Sequence, residues 1–377
     1  MKMHKNTETE KGMPISPSNH HVQDEATMEP GETTLHEISS QPEVWHRCLE
    51  ALDRLDLDQL VGDRDPRSYE WLFVGCGTSY YLAQAAAATF TLLVGAPARA
   101  VPASEFLLFP KLVVPSAAAA IFPVLISRSG HTSEVLQIAE LLRERGIEFL
   151  GLTCDGNELS ELASRTLKLP VTEESTVMTS SFTSMLITLQ YIAARFVKQE
   201  EFVKALHSLP ASLAGLLPVY RPQIEQFAQL PFDDVTFLAQ GALYPIASET
   251  ALKVMESSSS YAQFFHAMEF RHGPKSIVSD KVLVGALLSE TGYKEESAVL
   301  MEMKQLGART LAIANHFTPE VWNSADLAIE LALPIPELAR IAVYIVWGQL
   351  LGSYTGLRKG LNPDSPTNLS RVVTLAK

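Results

Sequence analysis

The chain has 377 residues, 46% of them hydrophobic and 19% charged, with a formal net charge of -13. This composition fits a globular protein long enough for two domains, and the acidic balance without a basic patch argues against non-specific nucleic-acid binding. Three dispersed cysteines, Cys48, Cys76 and Cys154, form no CxxC pair, so neither a disulfide framework nor a zinc site is expected, and a reducing cytoplasm fits.

Residues 1 to 34 are polar and lack periodicity, which predicts a disordered tail, with Met28 a candidate natural start. The N-terminus has no apolar signal-peptide core. Helical periodicity begins near Leu35 and continues through Trp45, Leu49 and Leu52. Strands and helices then alternate. Tyr69 to Val74 reads as a strand, Gly75-Cys76-Gly77-Thr78-Ser79 as a turn, and Tyr80 to Val94 as an alanine-rich helix. A strand at 121–126 leads into Ser127-Arg128-Ser129-Gly130-His131-Thr132, and a helix runs from about Ser133 to Arg145, closed by Gly146. Strands are expected at 149–153 and 167–169, and Thr179-Ser180-Ser181 opens a long helix to about Val197. Such alternation implies a parallel sheet covered on both faces. The stretch 338–354, the longest apolar run, contains Arg340 and Gln349 and reads as a core helix, so no membrane span is expected.

The second half repeats the first. Ile126-Ser127-Arg128-Ser129-Gly130 parallels Leu288-Ser289-Glu290-Thr291-Gly292, and Leu150-Gly151-Leu152-Thr153 parallels Leu311-Ala312-Ile313-Ala314, at an offset of about 162 residues. The expected boundary lies at 205/206, in a helical linker interrupted by Pro210, Pro218, Pro222 and Pro231. Copy one spans 35–205 and copy two 206–377.

The two copies carry different chemistry. A strand that ends in a Ser/Gly/Thr turn opening a helix offers free N–H groups and hydroxyls to an anion. One such turn is ordinarily a helix cap. Copy one has three: Thr78-Ser79, Ser127 to Thr132, and Thr179-Ser180. Copy two replaces the middle one with a turn carrying Glu290, which would repel phosphate. Its helix from Tyr244 to about Ser260 instead places Glu249, Lys253 and Glu256 on one face. By charge pattern alone that row reads more readily as a solvated salt-bridge stripe. It follows a strand's C-terminal end, where ligands bind in parallel sheets. The loop Glu269-Phe270-Arg271-His272-Gly273-Pro274-Lys275 adds a histidine suited to acid/base work. A phosphate cradle facing a carboxylate, a lysine and a histidine suits proton transfer beside the carbonyl of a phosphorylated sugar.

Cys76-Gly77-Thr78-Ser79, Ser127 to Thr132, Glu249 to Glu256, Arg271-His272-Gly273-Pro274 and Asp364-Ser365-Pro366-Thr367-Asn368-Leu369 together resemble the tandem sugar-isomerase (SIS) domain family. The resemblance covers nearly all of the chain from about residue 35. It implies two flavodoxin-like α/β domains, each a parallel sheet flanked by helices, and a homodimer with the active site at its interface. It implies that Thr78, Ser79, Ser127, Arg128, Ser129, Thr132, Thr179 and Ser180 surround the phosphate. In the same way Glu256 would shuttle a proton between C1 and C2, Lys253 would stand beside it, and His272 would open the sugar ring from the partner subunit. Glu249, Glu269 and Arg371 are further site candidates. The sequence departs from the glucosamine-6-phosphate synthase pattern in two ways. It has no glutaminase domain, and Arg371 stands where that pattern has an imine-forming lysine; a guanidinium cannot form the imine. Thr179 to Met185, Phe270 to Ser276 and Ser370 to Val373 are closer to the amino-sugar-phosphate deaminase/isomerase branch, in which the amino group is already on the sugar. The expected function is an isomerase that deaminates a 2-amino-2-deoxyhexose 6-phosphate without metal or cofactor. The alternatives are a stand-alone isomerase/transaminase-like protein, a fructosamine-6-phosphate deglycase, or a non-catalytic phosphosugar sensor.

Overall fold

The computed structural model describes residues 29–57, 60, 65–114, 120–156 and 158–374. Two parallel five-stranded sheets dominate it. The first holds β1 (Glu70–Gly75), β2 (Ala98–Pro102), β3 (Ile121–Ile126), β4 (Leu150–Thr153) and β5 (Arg165–Lys168), in the order β2-β1-β3-β4-β5. The second holds β6 (Asp234–Ala239), β7 (Tyr261–His266), β8 (Val282–Leu287), β9 (Arg309–Ala314) and β10 (Leu327–Glu330). Its order, β10-β9-β8-β6-β7, is the same arrangement read from the other edge. The copies pair in like register: Glu70 lies opposite Ile121, and Asp234 opposite Val282. The duplication read from sequence is therefore a duplication of topology, and both sheets have the flavodoxin-like order. The central strands are apolar along their length because helices bury both faces.

The longer helices are α1 (Glu32–Ser39), α2 (Gln41–Asp53), α3 (Thr78–Thr89), α4 (Ser133–Glu144), α5 (Ser180–Phe196), α6 (Glu200–Phe227), α7 (Tyr244–Ser258), α8 (Tyr293–Gln305) and α9 (Glu337–Arg358). One continuous core runs from Trp45, Trp71 and Phe73 in copy one to Ile246 and Trp347 in copy two, so the halves share an interior. A separate apolar cluster backs the outer face of each sheet.

Three features depart from the sequence reading. First, order begins before residue 35. Glu32 already starts a helix, the Thr34 N–H and hydroxyl donate to Asp364 (2.8 and 2.7 Å), and Gly31 N–H donates to Asn362 Oδ1 (2.9 Å). This expectation failed because the partners lie 330 residues away in sequence. Residues 1–28 of the expected tail, with Met28, lie outside the described residues. Second, the linker near 205 is the single helix α6, with Pro210, Pro218 and Pro222 inside it. An internal proline costs about 3 kcal/mol. Leu206, Leu209, Leu213, Leu217, Tyr220 and Ile224 are buried at three- and four-residue spacing, each worth about 1.5–3 kcal/mol, and hold the helix together. Among the described residues α6 is also the one helix long and apolar enough to cross a membrane, by length and composition alone. Its buried face packs in the core. Third, β7 was not anticipated; it follows α7 across two residues, the left-handed Ser259 and then Ser260.

Candidate active site

In the order β2-β1-β3-β4-β5, the chain leaves the neighbouring strands β1 and β3 in opposite directions, opening a crevice at their C-terminal ends. A cleft of about 230 Å³ lies there. Copy one supplies Thr78, Ser79, Arg128, Ser129 and Thr132 to its wall, copy two supplies Glu256, and the C-terminal segment Leu369–Val373 crosses it. A larger cavity, of about 650 Å³, lies among α1, α2 and Arg221 and not at a switch point; glutamates and arginines both line it.

The middle turn is shaped by two glycines. Gly130 has φ +68°, and a Cβ on it would lie 2.5 Å from the Gly156 Cα. Backbone meets backbone here, which fixes the turn against the loop after β4. Within it Gly130 N–H donates to Ser127 Oγ (3.1 Å), His131 N–H donates to Ser129 Oγ (3.2 Å), and the Ser127 and Thr132 hydroxyls are 2.9 Å apart.

From copy two, α7 presents Glu249, Lys253 and Glu256. The stripe Gly348, Gly352 and Gly356 lets α9 pack directly on it: a Cβ at Gly348 would meet Thr250 Cγ2 at 2.2 Å, one at Gly352 the Lys253 carbonyl at 2.8 Å, and one at Gly356 the Ser257 carbonyl at 2.1 Å. The row is no solvated stripe. Glu249 is 0% exposed and Lys253 is 1% exposed. Lys253 Nζ donates to Thr78 Oγ1 (3.0 Å), lies 3.2 Å from Glu249 Oε1, and forms a close ion pair with Glu256. Thr78 Oγ1 in turn donates to Glu249 Oε1 (3.2 Å). Thr78 thus joins the copies, and its hydroxyl proton points at Glu249. Burial opposes a charge on Lys253, but Glu249 and Glu256 outweigh it and raise its pKa. Burial pushes the Glu249 carboxyl up to about 8.

Several expected phosphate contacts are engaged elsewhere. Glu173, 2% exposed, occupies the N-terminus of α5. It accepts from the Thr179 N–H and hydroxyl (2.8 and 3.0 Å) and the Ser180 hydroxyl (3.1 Å), so these groups serve an internal carboxylate and do not line the cleft. Arg128 pairs with Glu173 at 2.9 Å and donates to the carbonyls of Ser175, Thr176 and Arg371. Although burial opposes its charge, Arg128 and these donors hold the Glu173 carboxyl below the usual carboxylate range. Arg371 lines the cleft, but its guanidinium reaches Asp155 (3.0 Å) and the Glu174 carbonyl (3.4 Å). His272 and Glu269 are exposed on the loop after β7 and do not line this cleft, while Arg271 and Lys275 pair with Glu302 at 2.7 and 2.8 Å.

Cleft residues that the sequence reading passed over are Glu134, Thr176 and Met178, and the apolar residues of the C-terminal segment. Glu134 lies two residues beyond the Ser127–Thr132 motif, in the first turn of α4, and could have been flagged by its copy-two counterpart, Glu296. In copy two that carboxylate fills the anion turn itself, accepting from the Ser289 N–H (2.6 Å) and hydroxyl (2.8 Å). Glu290 pairs with the buried Arg340. The second switch point is therefore occupied by the protein's own side chains, and copy one keeps the open turn.

The chain is similar to glutamine–fructose-6-phosphate aminotransferase [isomerizing] of Pseudomonas putida, at 30% identity over 90% of this chain and 58% of that protein. It thus spans little more than half the length of that relative. Among solved structures it resembles glucosamine-6-phosphate deaminase from Thermotoga maritima (TM-score 0.75, 26% identity, covering 91% of this chain and 100% of that one). The tagatose-6-phosphate ketose/aldose isomerase from Escherichia coli shares the fold (TM-score 0.79, 22% identity, 90% of this chain and 98% of that one). The SIS domain model matches residues 68–195 and 233–346, one match on each sheet, and the chain belongs to the SIS domain family as a tandem pair.

Proposed function

We propose that the protein is a phosphosugar aldose–ketose isomerase that deaminates a 2-amino-2-deoxyhexose 6-phosphate. One observation carries this reading: Glu256 of copy two, ion-paired with the buried Lys253 behind it, lines a single cleft with the hydroxyl turns of copy one. The turns at Ser79 and Ser127–Thr132 anchor the phosphate through N–H groups and hydroxyls. Glu256, with part of its side chain open to the cleft, takes the proton from C2 of the open-chain sugar and returns it to C1. Lys253 offsets the charge that builds on the substrate oxygen. The C2 amine becomes an imine, and water converts it to the ketone with release of ammonia. No enzyme amine takes part, which agrees with an Arg371 bound to Asp155 and Glu174.

We further propose a homodimer in the cytoplasm, with His272 of each copy opening the sugar ring in the cleft of the other. Its exposure on a loop outside its own cleft supports that placement. The test is incubation with glucosamine 6-phosphate, galactosamine 6-phosphate and fructose 6-phosphate, with ammonia and ketose followed together. Equimolar ammonia and ketose from an amino sugar is the expected result. Conversion of fructose 6-phosphate to an aldose 6-phosphate with no ammonia from either amino sugar would leave a plain isomerase, and tight binding without turnover would leave a sensor.

A further inference from the structure

Glu249 is fully buried, and its two oxygens have unequal surroundings. Oε1 accepts from Lys253 Nζ (3.2 Å) and from Thr78 Oγ1 (3.2 Å), while Oε2 is buried and has no hydrogen-bond partner. As a carboxylate, Glu249 would leave a charged oxygen buried without a donor, among the costliest arrangements in a protein interior. As a carboxylic acid it places its proton on Oε2 and keeps Oε1 as the acceptor its two neighbours require. The charge count leads to the same state. The cluster holds one ammonium and two carboxyl groups, and Glu256 makes the closer pair with Lys253 and is the more open to solvent. Glu249, at 0% exposure, is where removing a charge relieves most desolvation.

We propose that Glu249 is a positioning residue that holds the cluster's spare proton, so that Lys253 stays engaged with Glu256 and Glu256 is left as the cluster's one carboxylate, at the cleft. The inference rests on the isomerase reading for its consequence in turnover but not for the protonation itself. The groups facing Glu249 are Lys253 and Glu256 on its own helix and, from α3, Thr78 and the Tyr81 phenol, whose pKa is raised by burial and by the Glu249 charge. The flank of α7 turned to α9 meets Gly348, Gly352 and Gly356. Burial, reinforced by Glu256, pushes the Glu249 carboxyl up to about 8, in agreement with this geometry. Once Glu249 ionises, two carboxylates compete for one ammonium, and Lys253 is drawn from Glu256 toward Thr78 and Glu249.

The direct test is carbon-13 NMR of the full chain labelled at the glutamate carboxyl carbons, titrated from pH 5 to 10 without substrate. One resonance should stay protonated at pH 7 and ionise near pH 8. It should be missing in Glu249→Gln, and its midpoint should fall in Glu256→Gln, where the neighbouring negative charge is gone. Absence of any carboxyl protonated at pH 7, survival of that resonance in Glu249→Gln, or no response to Glu256→Gln would each overturn the proposal. If Glu249→Gln does not fold, the response to Glu256→Gln still decides it. In kinetics, kcat/KM of the wild type should decline above pH 8 and that decline should vanish in Glu249→Gln. An alkaline decline that persists in Glu249→Gln would show that Glu249 does not govern turnover. A protein with no turnover of any sugar would sink the isomerase reading while the titration stood.

Discussion

Replacing Gly352 with alanine should damage the site without touching a polar group. The new Cβ would lie 2.8 Å from the Lys253 carbonyl oxygen, 3.1 Å from its carbonyl carbon and 3.2 Å from the Val254 Cα. A carbon and an oxygen in ordinary contact stand about 3.3 Å apart or more, so α7 and α9 must separate by roughly half an ångström. Backbone cannot move aside as a side chain tip can. Overpacking of this kind costs about 1–3 kcal/mol, read as a lower urea midpoint at unchanged slope. The displaced atoms belong to Lys253 itself, and catalytic groups tolerate about 0.5 Å of error. Turnover should therefore fall about 10- to 100-fold. Gly215 provides the control, because it lies within α6 and a Cβ there meets nothing within 4 Å. Gly215→Ala should stabilise the protein by about 0.5–1 kcal/mol and leave turnover as it was. A Gly352→Ala protein with wild-type stability and turnover would refute the claim that this glycine stripe sets the position of Lys253.

Other outcomes follow from the same contacts. Arg128→Met strands the Glu173 carboxylate in the interior and should cost about 3–5 kcal/mol in denaturant unfolding; a loss below 1 kcal/mol would mean that Glu173 is not held as a charge. Ser129→Ala removes one cleft hydroxyl, and calorimetry should show sugar-phosphate affinity weakened about 10-fold, the scale of one hydrogen bond to a charged group. Because burial raises the folded pKa of Glu249 from 4.5 to about 8, the native state binds more protons there than the unfolded chain between these values. Its contribution to stability is complete below pH 4.5 and is lost as pH rises to about 8. The same unfolding series on Glu249→Gln should show a shallower loss across that window, and an identical pH dependence would contradict the assignment.

Much of this was legible in the sequence because it depends on local pattern. Strand ends marked by Gly75 and Ile126, hydroxyls at helix starts, and the four- and three-residue spacing of Glu249, Lys253 and Glu256 are short-range facts. The repeat was visible for the same reason, since each turn could be set against its counterpart. What escaped was set by distant partners. Thr179 and Ser180 look like anion ligands, and they are, but the anion is Glu173, six and seven residues upstream. Gly348, Gly352 and Gly356 gave no sign of function inside an apolar run until α7 was seen against them. The prolines of α6 argued for a break that six buried side chains overrule. The Tyr261–His266 strand has apolar and polar residues without clean alternation and follows a helix almost directly, so periodicity alone did not reveal it.

The central claim is that copy two acts, through Glu256, on a sugar whose phosphate copy one holds. Glu256→Gln tests it most directly, with binding of the turned-over amino sugar phosphate measured by calorimetry and ammonia release measured on the same preparation. The account predicts affinity within a few-fold of wild type and turnover reduced about 10²- to 10⁴-fold, the usual contribution of a positioned acid/base group. Turnover that survived with binding intact would contradict it.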